Sequence, residues 1–419
     1  MKTMPCKKIA IVQAGLCFAL APVAYAQSPA PEVQVGTSSI VDYEFDWGRD
    51  GSYCQTCNFG DGNNRLSFTD SAGNVWIGHV DVQTGDFVPG DGEEELVDTK
   101  AMPVRTGHNG PEWMSLQNAS ALVYNRYADG DPSNPSSACV GFARIVVAGA
   151  WTAGCMPRTK GYAFPFGTNN VGDPNPMVSY RDSSSGNTNL YWRPVRQGAP
   201  AHVILTGSDQ SRLEPRWVEG THKLLLTAPA APDASGTVYR QIFLYSTTNG
   251  TLEQLTFDPT DKAAAYMWRA PEYQDSYVFF ARVGYAEIDV YRYLPDPGGS
   301  SSWQITKRIQ STTPDYPYVY SPEPFVYNGK SWIFLTISSQ QVDHDIAASQ
   351  IALTGIEPEV PSFRVLTSDT SDEHGRQDPE YYITANGPSI YYNRYLMLAG
   401  GVARSEGVFR VDSGLGAPQ

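Results

Sequence analysis

A short motif that recurs along the chain constrains the fold most strongly. The motif is a proline followed by Glu or Arg and then an aromatic residue, as in Pro111-Glu112-Trp113 and Pro379-Glu380-Tyr381. Its copies begin roughly 40 to 60 residues apart, at Pro111, Pro174, Pro215, Pro271, Pro322 and Pro379. The copy at Pro322 is a variant in which Pro324 separates Glu323 from the aromatic residue, and the copy at Pro174 is weaker. Spacing in the fifties is typical of the blades of a β-propeller and not of a helical solenoid.

Each unit contains short runs of alternating apolar residues separated by turn sequences. Residues 241–245 and 252–257, for example, flank the turn Thr247-Thr248-Asn249-Gly250, and such alternation indicates β-strands. Four strands per unit predict an all-β fold, a single β-propeller. Seven blades of about 56 residues fit the chain best, and six is the alternative. Because both chain ends usually share one blade, residues 40–45 are expected to pair with the last blade.

Composition excludes several other classes of protein. Charged residues make up 18% of the chain and 38 residues are glycine, which argues against helical bundles and coiled coils. The net charge of −14 argues against a nucleic-acid partner, whose phosphates need a basic surface. We therefore expect a globular chain that is a monomer.

The N-terminus has the features of an export signal. Lys2, Lys7 and Lys8 precede an apolar stretch, and Ala24-Tyr25-Ala26 forms a cleavage site. Residues 1–26 are thus predicted to be a signal peptide, 27–38 a flexible leader and 39–419 the propeller domain. The stretch is too short to span a bilayer. We expect a secreted or periplasmic protein that is cleaved near Ala26 and has no membrane span.

Four cysteines remain after such a cleavage. In an exported chain, Cys54, Cys57, Cys139 and Cys155 favour structural disulfides. Cys139 and Cys155 make the better pair, because the segments around them have the pattern of neighbouring strands. A redox pair or half of a zinc site at Cys54-Gln55-Thr56-Cys57 remains the alternative.

The stretch from Gln241 to Asp258 resembles the repeat of TolB-like propellers. It has a strand, a turn with Gly250, and a second strand ending in Leu255-Thr256. This resemblance implies a propeller. It also implies an alternative to catalysis, namely a non-catalytic protein that mediates protein or ligand binding in the cell envelope.

A second segment is similar to glycoside hydrolases of the arabinanase and xylosidase type. Residues 323–334 resemble the general-acid segment of those propeller enzymes, and residues 268–272 resemble their second carboxylate segment. Their base is an Asp that precedes a Pro, a place that Asp173 or Asp378 fills. The resemblance implies a pair of catalytic carboxylates that includes Glu323, with Glu272 as the second candidate.

Residues just before the motif are expected to converge at one mouth of the propeller, where convergent polar groups usually bind ligands. The ligand-binding candidates are Arg212, Trp268, Arg269 and Arg376. The catalytic candidates are His108, Tyr320, His374, Asp173, Glu272, Glu323 and Asp378. The alternative interpretation is that the repeated glutamates are structural and cap backbone N–H groups of a neighbouring blade.

Arginines and histidines in one mouth suit an anionic ligand. A lyase acting on an acidic polysaccharide needs a base for the C5 proton and a group that neutralises the carboxylate, which are roles for His108 or His374 with Tyr320 and Arg376. The expected function is therefore binding or degradation of a glycan, by a lyase or a glycoside hydrolase. No cofactor is expected. Calcium is a weaker option at Asp42, Asp46, Asp50 and Asp61, whose spacing matches no EF-hand.

Overall fold

The structure is a computed structural model. It describes residues 30–46, 64–88, 95–101, 110–117, 119–131, 134–147, 150–170, 172–182, 189–206, 215–341, 346–358, 362–368, 373–398 and 402–418. Within these residues the strands form seven antiparallel sheets. This arrangement confirms the all-β propeller with seven blades that the repeat predicts.

The first three blades contain strands β2 to β14. Blade 1 consists of β2 (Ile40–Phe45), β3 (Arg65–Asp70), β4 (Val75–Val80), β5 (Phe87–Val88) and β6 (Glu95–Asp98), the last two both pairing with β4. Blade 2 consists of β7 (Glu112–Ser115), β8 (Ser120–Tyr127), β9 (Ala138–Val147) and β10 (Ala150–Cys155). Blade 3 consists of β11 (Tyr162–Gly167), β12 (Met177–Asp182), β13 (Leu190–Pro194) and β14 (His202–Leu205).

The remaining blades continue in chain order. Blade 4 consists of β15 (Arg216–Val218), β16 (Lys223–Pro229), β17 (Arg240–Ser246) and β18 (Leu252–Gln254). Blade 5 consists of β19 (Lys262–Ala270), β20 (Ser276–Val283), β21 (Glu287–Pro295) and β22 (Ser301–Gln310). Blade 6 consists of β23 (Tyr318–Tyr327), β24 (Lys330–Ser338), β25 (Ser349–Gly355) and β26 (Arg364–Val365). Blade 7 consists of β27 (His374–Thr384), β28 (Gly387–Met397), β29 (Ala403–Asp412) and β1 (Val33–Gln34).

The first strand of every blade lies innermost. These seven strands contact one another in a closed ring, from β2 through β7, β11, β15, β19 and β23 to β27 and back to β2. Both chain ends share blade 7, because Val33 pairs with Arg410 and Gln34 with Phe409. The expectation that Ile40–Phe45 closes the last blade is wrong, since that segment is the inner strand of blade 1. The two-residue strand that precedes it closes the ring.

The core lies between the faces of neighbouring blades. Middle strands are packed on both faces, so they are almost continuously apolar. In β24, for instance, Ile333, Phe334, Leu335 and Ile337 are fully buried. Outer strands lie at the edges of the sheets, and several of them are short, namely β5, β18 and β26.

The motif tryptophans join neighbouring blades. Trp113 is buried, and its Nε1–H donates to the carbonyl of Glu44 in blade 1 at 3.1 Å. Trp217 is half-buried and donates in the same way to the carbonyl of Phe166 in blade 3, at 2.8 Å. Each indole thus donates to an inner-strand carbonyl of the preceding blade, which also accepts a longer hydrogen bond from a serine hydroxyl of its own sheet, Ser67 for Glu44 and Ser179 for Phe166.

Two copies of the motif lie outside the inner strands. Pro174 is in the turn between β11 and β12, and Pro271–Tyr273 form a 3₁₀ turn that follows β19. The inner strands of blades 3 and 5 instead carry Pro165-Phe166 and Ala265-Tyr266. The predicted register of the repeat is therefore correct in blades 2, 4, 6 and 7 and wrong in blades 3 and 5.

The predicted disulfide between Cys139 and Cys155 is confirmed. It joins the paired strands β9 and β10 of blade 2, and the two Cα atoms are 5.8 Å apart. Cys54 and Cys57 lie outside the described residues, as does the predicted signal peptide. None of the described residues belongs to a helix with the length and hydropathy needed to cross a membrane.

Removing this disulfide is expected to destabilise blade 2. The bond closes a short loop, so the double change Cys139→Ser and Cys155→Ser should lower the free energy of unfolding by about 3 kcal/mol. Denaturant unfolding of the oxidised protein and of the double variant measures the difference. A loss below about 1 kcal/mol would show that strand pairing alone holds β10 in place.

Candidate functional site

A ring of seven side chains, one from each inner strand, surrounds the centre of the propeller. Each member occupies the position that follows the motif proline or its equivalent. In blade order the members are Glu44, Glu112, Phe166, Arg216, Tyr266, Glu323 and Glu380. We call these seven residues the central ring.

β-Bulges in the inner strands direct side chains into the channel. In β11, β19, β23 and β27 the register shifts just before the ring residue. The bulge residues Phe164, Ala264, Ser321 and Asp378 have positive φ angles. A bulge re-aims nearby side chains, and at Asp378 it brings a second carboxyl beside Glu380. In β2 the register shift lies just before Asp42.

One arc of the central ring is aromatic and basic. The Arg216 guanidinium lies 4.4 Å from the centre of the Phe166 ring and 4.9 Å from that of Tyr266. The Tyr266 hydroxyl donates a hydrogen bond to Glu323 Oε1, and Arg216 Nη2 lies 3.7 Å from the same oxygen. Burial raises the pKa of Tyr266 well above its usual value, so its hydroxyl remains a donor at neutral pH.

The other arc is acidic. Four glutamates follow one another around the ring, namely Glu323, Glu380, Glu44 and Glu112. Two further carboxyls, those of Asp378 and Asp42, lie in the neighbouring layer of side chains in the same channel. We call the ring and this layer the two levels of the channel. The Asp42 carboxyl packs against the α-carbon of Gly110, where a Cβ would lie 2.1 Å from Asp42 Oδ1. A side chain at position 110 would displace this carboxyl, so glycine is required there.

Burial and mutual repulsion raise the pKa values of these carboxyls. Burial, with smaller contributions from neighbouring acids, raises the pKa of Asp42, Glu44 and Glu380 well above their ordinary values. Asp378 is exposed, but the protein that surrounds it still desolvates its carboxyl, and this desolvation and the charge of Glu112 raise the pKa to about 6. Burial raises the pKa of Glu323 to about 7, although Arg216 and Tyr266 act in the opposite direction.

The channel is accessible to solvent on one side of this cluster. Asp378 is exposed, Glu323 keeps 24% of its side-chain surface exposed, and Glu380 is 7% exposed. The protein surrounds all these groups, so their charges are poorly screened even where water reaches them. The channel therefore holds both neutral and ionised carboxyls near pH 7, and they lie side by side within reach of a ligand.

Two of the sequence-predicted catalytic residues, Glu323 and Asp378, lie together in this channel. Glu272 is in the 3₁₀ turn and accepts hydrogen bonds from the backbone N–H of Ser331 at 3.0 Å and from its hydroxyl at 2.9 Å. Asp173 is in a turn, 2.6 Å from His222 Nε2. Glu272 therefore caps a backbone N–H group of the neighbouring blade 6, which is the structural role that the alternative interpretation predicts for the repeated glutamates.

The other candidates that the structure describes have separate surroundings. The Tyr320 hydroxyl donates to the Gln340 carbonyl at 3.3 Å, and His374 Nε2 lies 3.5 Å from Glu406 Oε2. Trp268 is buried and donates to the Ser331 hydroxyl, whereas Arg269 is exposed over the ring of Tyr277. His108 and Arg212 lie outside the described residues.

Arg376 is 1% exposed and holds the N-terminal segment against blade 7. Its guanidinium pairs with Glu32 and also donates to the Ser349 carbonyl. Arg394 Nη1 holds the other Glu32 oxygen at 2.9 Å. A cavity of about 410 Å³ adjoins this cluster and is lined by Ala30, Pro31, Glu32, Ser368, His374, Arg376 and Arg394. The partner of Arg376 is thus the segment that closes the propeller.

Sequence reasoning did not identify most of the central ring as a site. Glu112 and Glu380 appeared only as repeated glutamates, and Arg216, Phe166 and Tyr266 were not proposed as site residues. The usable signal was the position directly after the motif proline, because that position belongs to the central ring in blades 2, 4, 6 and 7, where the motif lies on the inner strand. No group of three or more His, Cys, Asp or Glu residues within the described ranges is placed to hold a metal ion.

Comparisons with known proteins identify no family. No protein-family model matches the chain, and no curated protein matches it in sequence. Solved structures that it matches include prolyl oligopeptidase B from Galerina marginata, with 12% identity and a TM-score of 0.44 over 84% of this chain. The GH32 β-fructofuranosidase BmSUC1 of Bombyx mori has 13% identity and a TM-score of 0.33 over 59% of this chain.

A third match is a structure described as putative TolB from Agrobacterium tumefaciens. It has 12% identity and a TM-score of 0.38, and the match covers 65% of this chain and 83% of that one. The chain spans only 46% of the oligopeptidase structure and 59% of the fructofuranosidase structure. Similarities of this size are too low to indicate a family or an activity.

Proposed function

We propose that this protein is an exported glycoside hydrolase whose reaction takes place in the central channel. One observation carries the proposal. Two carboxyls with pKa values shifted toward neutrality, Glu323 and Asp378, lie in one solvent-reachable channel. Hydrolysis of a glycosidic bond needs such a pair, in which one carboxyl is protonated and the other ionised.

Glu323 is suited to the role of general acid. Its pKa of about 7 leaves a large fraction protonated at neutral pH, and the Tyr266 hydroxyl fixes the orientation of the carboxyl. A general acid works best when its pKa lies near the working pH. Glu323 therefore protonates the leaving oxygen.

Asp378 is suited to the role of base or nucleophile. Its pKa of about 6 makes it mostly ionised at pH 7, and it is the exposed member of the cluster. The bulge at Asp378 places its side chain at the level next to the ring. Glu323 on the ring and Asp378 on the neighbouring level can thus act on one sugar bound in the channel.

The charge of the channel disfavours an acidic substrate. Six carboxyls share the described part of the two levels with Arg216, and the whole chain carries a net charge of −14. A polyanion would be repelled from such a channel. The lyase alternative also loses support, because His374 and Arg376 pair with Glu406 and Glu32 respectively. The substrate class that fits best is a glycan without acidic groups.

The experiment is a hydrolysis screen of the purified mature protein. Neutral and acidic polysaccharides are incubated with it, and new reducing ends and unsaturated products are measured separately. New reducing ends from a non-acidic glycan support the proposal. Ultraviolet absorbance from an acidic glycan would indicate a lyase instead, and binding without cleavage would favour the non-catalytic, TolB-like alternative.

The rate of hydrolysis is expected to follow a bell-shaped pH profile. Activity needs Asp378 ionised and Glu323 protonated, so kcat/KM should rise through about pH 6 and fall above about pH 7. Tyr266→Phe removes a hydrogen bond that lowers the pKa of Glu323. The alkaline limb should therefore move to higher pH in that variant, while the acidic limb stays in place. An unchanged alkaline limb would argue against Glu323 as the acid.

A further inference from the structure

We propose that the channel selects glycans that carry free amino groups, with the substrate's ammonium groups paired to Glu380 and Glu44. The inference rests on the proposed function, because it names the substrate class of the same site. It starts from the charge balance of the channel. Arg216 shares the described part of the two levels with six carboxyls, those of Asp42, Glu44, Glu112, Glu323, Asp378 and Glu380.

Arg216 offsets only part of the negative charge of the acidic arc, at Glu323 and Asp378. Its guanidinium is stacked between Phe166 and Tyr266 and approaches Glu323 at 3.7 Å. Glu380 and Glu44 lie on the opposite arc, where their neighbours in the ring are other glutamates. The largest electrostatic interactions of Glu380 are with Glu323, Glu44, Asp378 and Glu112, and these four are repulsive.

The Glu380 carboxyl is an acceptor without a hydrogen-bond donor among the described residues. Its residue is 7% exposed, and its carboxyl makes no hydrogen bond to any residue that the structure describes. The Glu44 carboxyl likewise receives no hydrogen bond from the described residues. Neither carboxyl has an oxygen that is both fully buried and unpaired, so these oxygens reach solvent in the channel and are available to donors that a ligand brings.

An ammonium group meets both requirements. It supplies a positive charge and three N–H donors, and it has no acceptor that would need a partner. A neighbouring ammonium favours the ionised form of Glu380 and Glu44 and so opposes the rise in their pKa values. Its charge-assisted hydrogen bonds to the resulting carboxylates are stronger than the hydroxyl contacts that a neutral sugar can make. The negative field of the channel would also concentrate a cationic chain at its mouth. An amino sugar in the glycan delivers such a group at the level of Glu380.

The test compares three tetrasaccharides of equal length: a tetramer of glucosamine, a tetramer of N-acetylglucosamine and a tetramer of glucose. Binding to the Glu323→Gln variant, in which turnover is suppressed, is measured by calorimetry at pH 6.5. The glucosamine tetramer should bind at least tenfold more tightly than either of the others.

Adding Glu380→Gln should remove most of that preference, and Glu44→Gln provides a second variant in case the first fails to fold. Glu357→Gln, an exposed glutamate paired with Lys330, is the matched control and should keep the preference.

The outcomes separate this inference from the proposed function. Equal affinity for the three tetramers would overturn the inference, while hydrolysis of a neutral glycan by the native protein would still support the proposed function. Preference for the glucosamine tetramer without hydrolysis would support the inference and contradict the catalytic role. Calcium chloride and sodium chloride are also compared at the same ionic strength as competitors of the glucosamine tetramer. Displacement by calcium chloride alone would overturn the inference, because it would assign the Glu380 and Glu44 carboxyls to a metal ion.

Discussion

Replacing Glu323 with glutamine is expected to lower kcat/KM for the glycan substrate by about 10² to 10⁴-fold, the usual contribution of a general acid. Glutamine keeps the size of the side chain and can still accept the hydrogen bond from Tyr266, but it cannot deliver a proton. The fold should be preserved, because the substitution removes a buried carboxyl from a group of acids that repel one another. Reducing-end assays at saturating and low substrate concentrations measure the change.

Two further variants make the Glu323 result interpretable. Glu357→Gln removes an exposed glutamate outside the channel and should leave kcat/KM unchanged. Glu272→Gln tests the carboxylate that the sequence favours equally, but which bonds to Ser331 in the structure. Activity retained in Glu323→Gln and lost in Glu272→Gln would show that the channel is not the catalytic site.

Arg376→Ala is expected to destabilise the protein by about 3 to 5 kcal/mol, the usual cost of removing one partner of a buried ion pair. Arg376 is buried and bonds to Glu32 and to Ser349. Its loss leaves Glu32 held by Arg394 alone. Glu32 directly precedes the two-residue strand Val33–Gln34 that closes blade 7, so the damage should reach the closure of the whole ring.

Denaturant unfolding measures this loss, and Arg269→Ala is the matched control. Arg269 is exposed over Tyr277, so its removal should cost less than about 1 kcal/mol. The double variant Arg376→Ala, Glu32→Ala should recover part of the lost stability, because it removes the uncompensated charge. Native stability with weakened glycan binding in Arg376→Ala would instead restore the sequence-based role of Arg376 as a ligand-binding residue.

The local pattern was enough to predict much of the fold. Alternating apolar residues predict single strands, and Gly-containing turns predict hairpins. The pairing of these strands depends on residues that are close in sequence. Their recurrence predicted a propeller with seven blades, and Cys139 and Cys155 were correctly placed on neighbouring strands. The motif proline also marked inner strands correctly at Pro111, Pro215, Pro322 and Pro379.

The same pattern failed where a blade departs from the motif. Blade 5 has Ala265 in place of the proline, and the nearby Pro271-Glu272-Tyr273 has the motif sequence but forms a 3₁₀ turn. In blade 3 the ring residue is Phe166, after Pro165, and Pro174 belongs to a turn. A proline shows that the backbone is constrained at that point, but it does not show which strand of a blade it begins.

The sequence by itself determined the repeating strands, the blade count and the disulfide, because each depends on residues within one or two neighbouring units. Only the tertiary structure decided which side chains share the channel. Glu44 and Glu380 are far apart in the chain and meet because β2 and β27 become neighbours when the ring closes. Arg376 likewise finds Glu32 only after the N-terminal strand has joined blade 7. Ring closure is a long-range event, and the raised pKa values of the carboxyls follow from the burial that it creates.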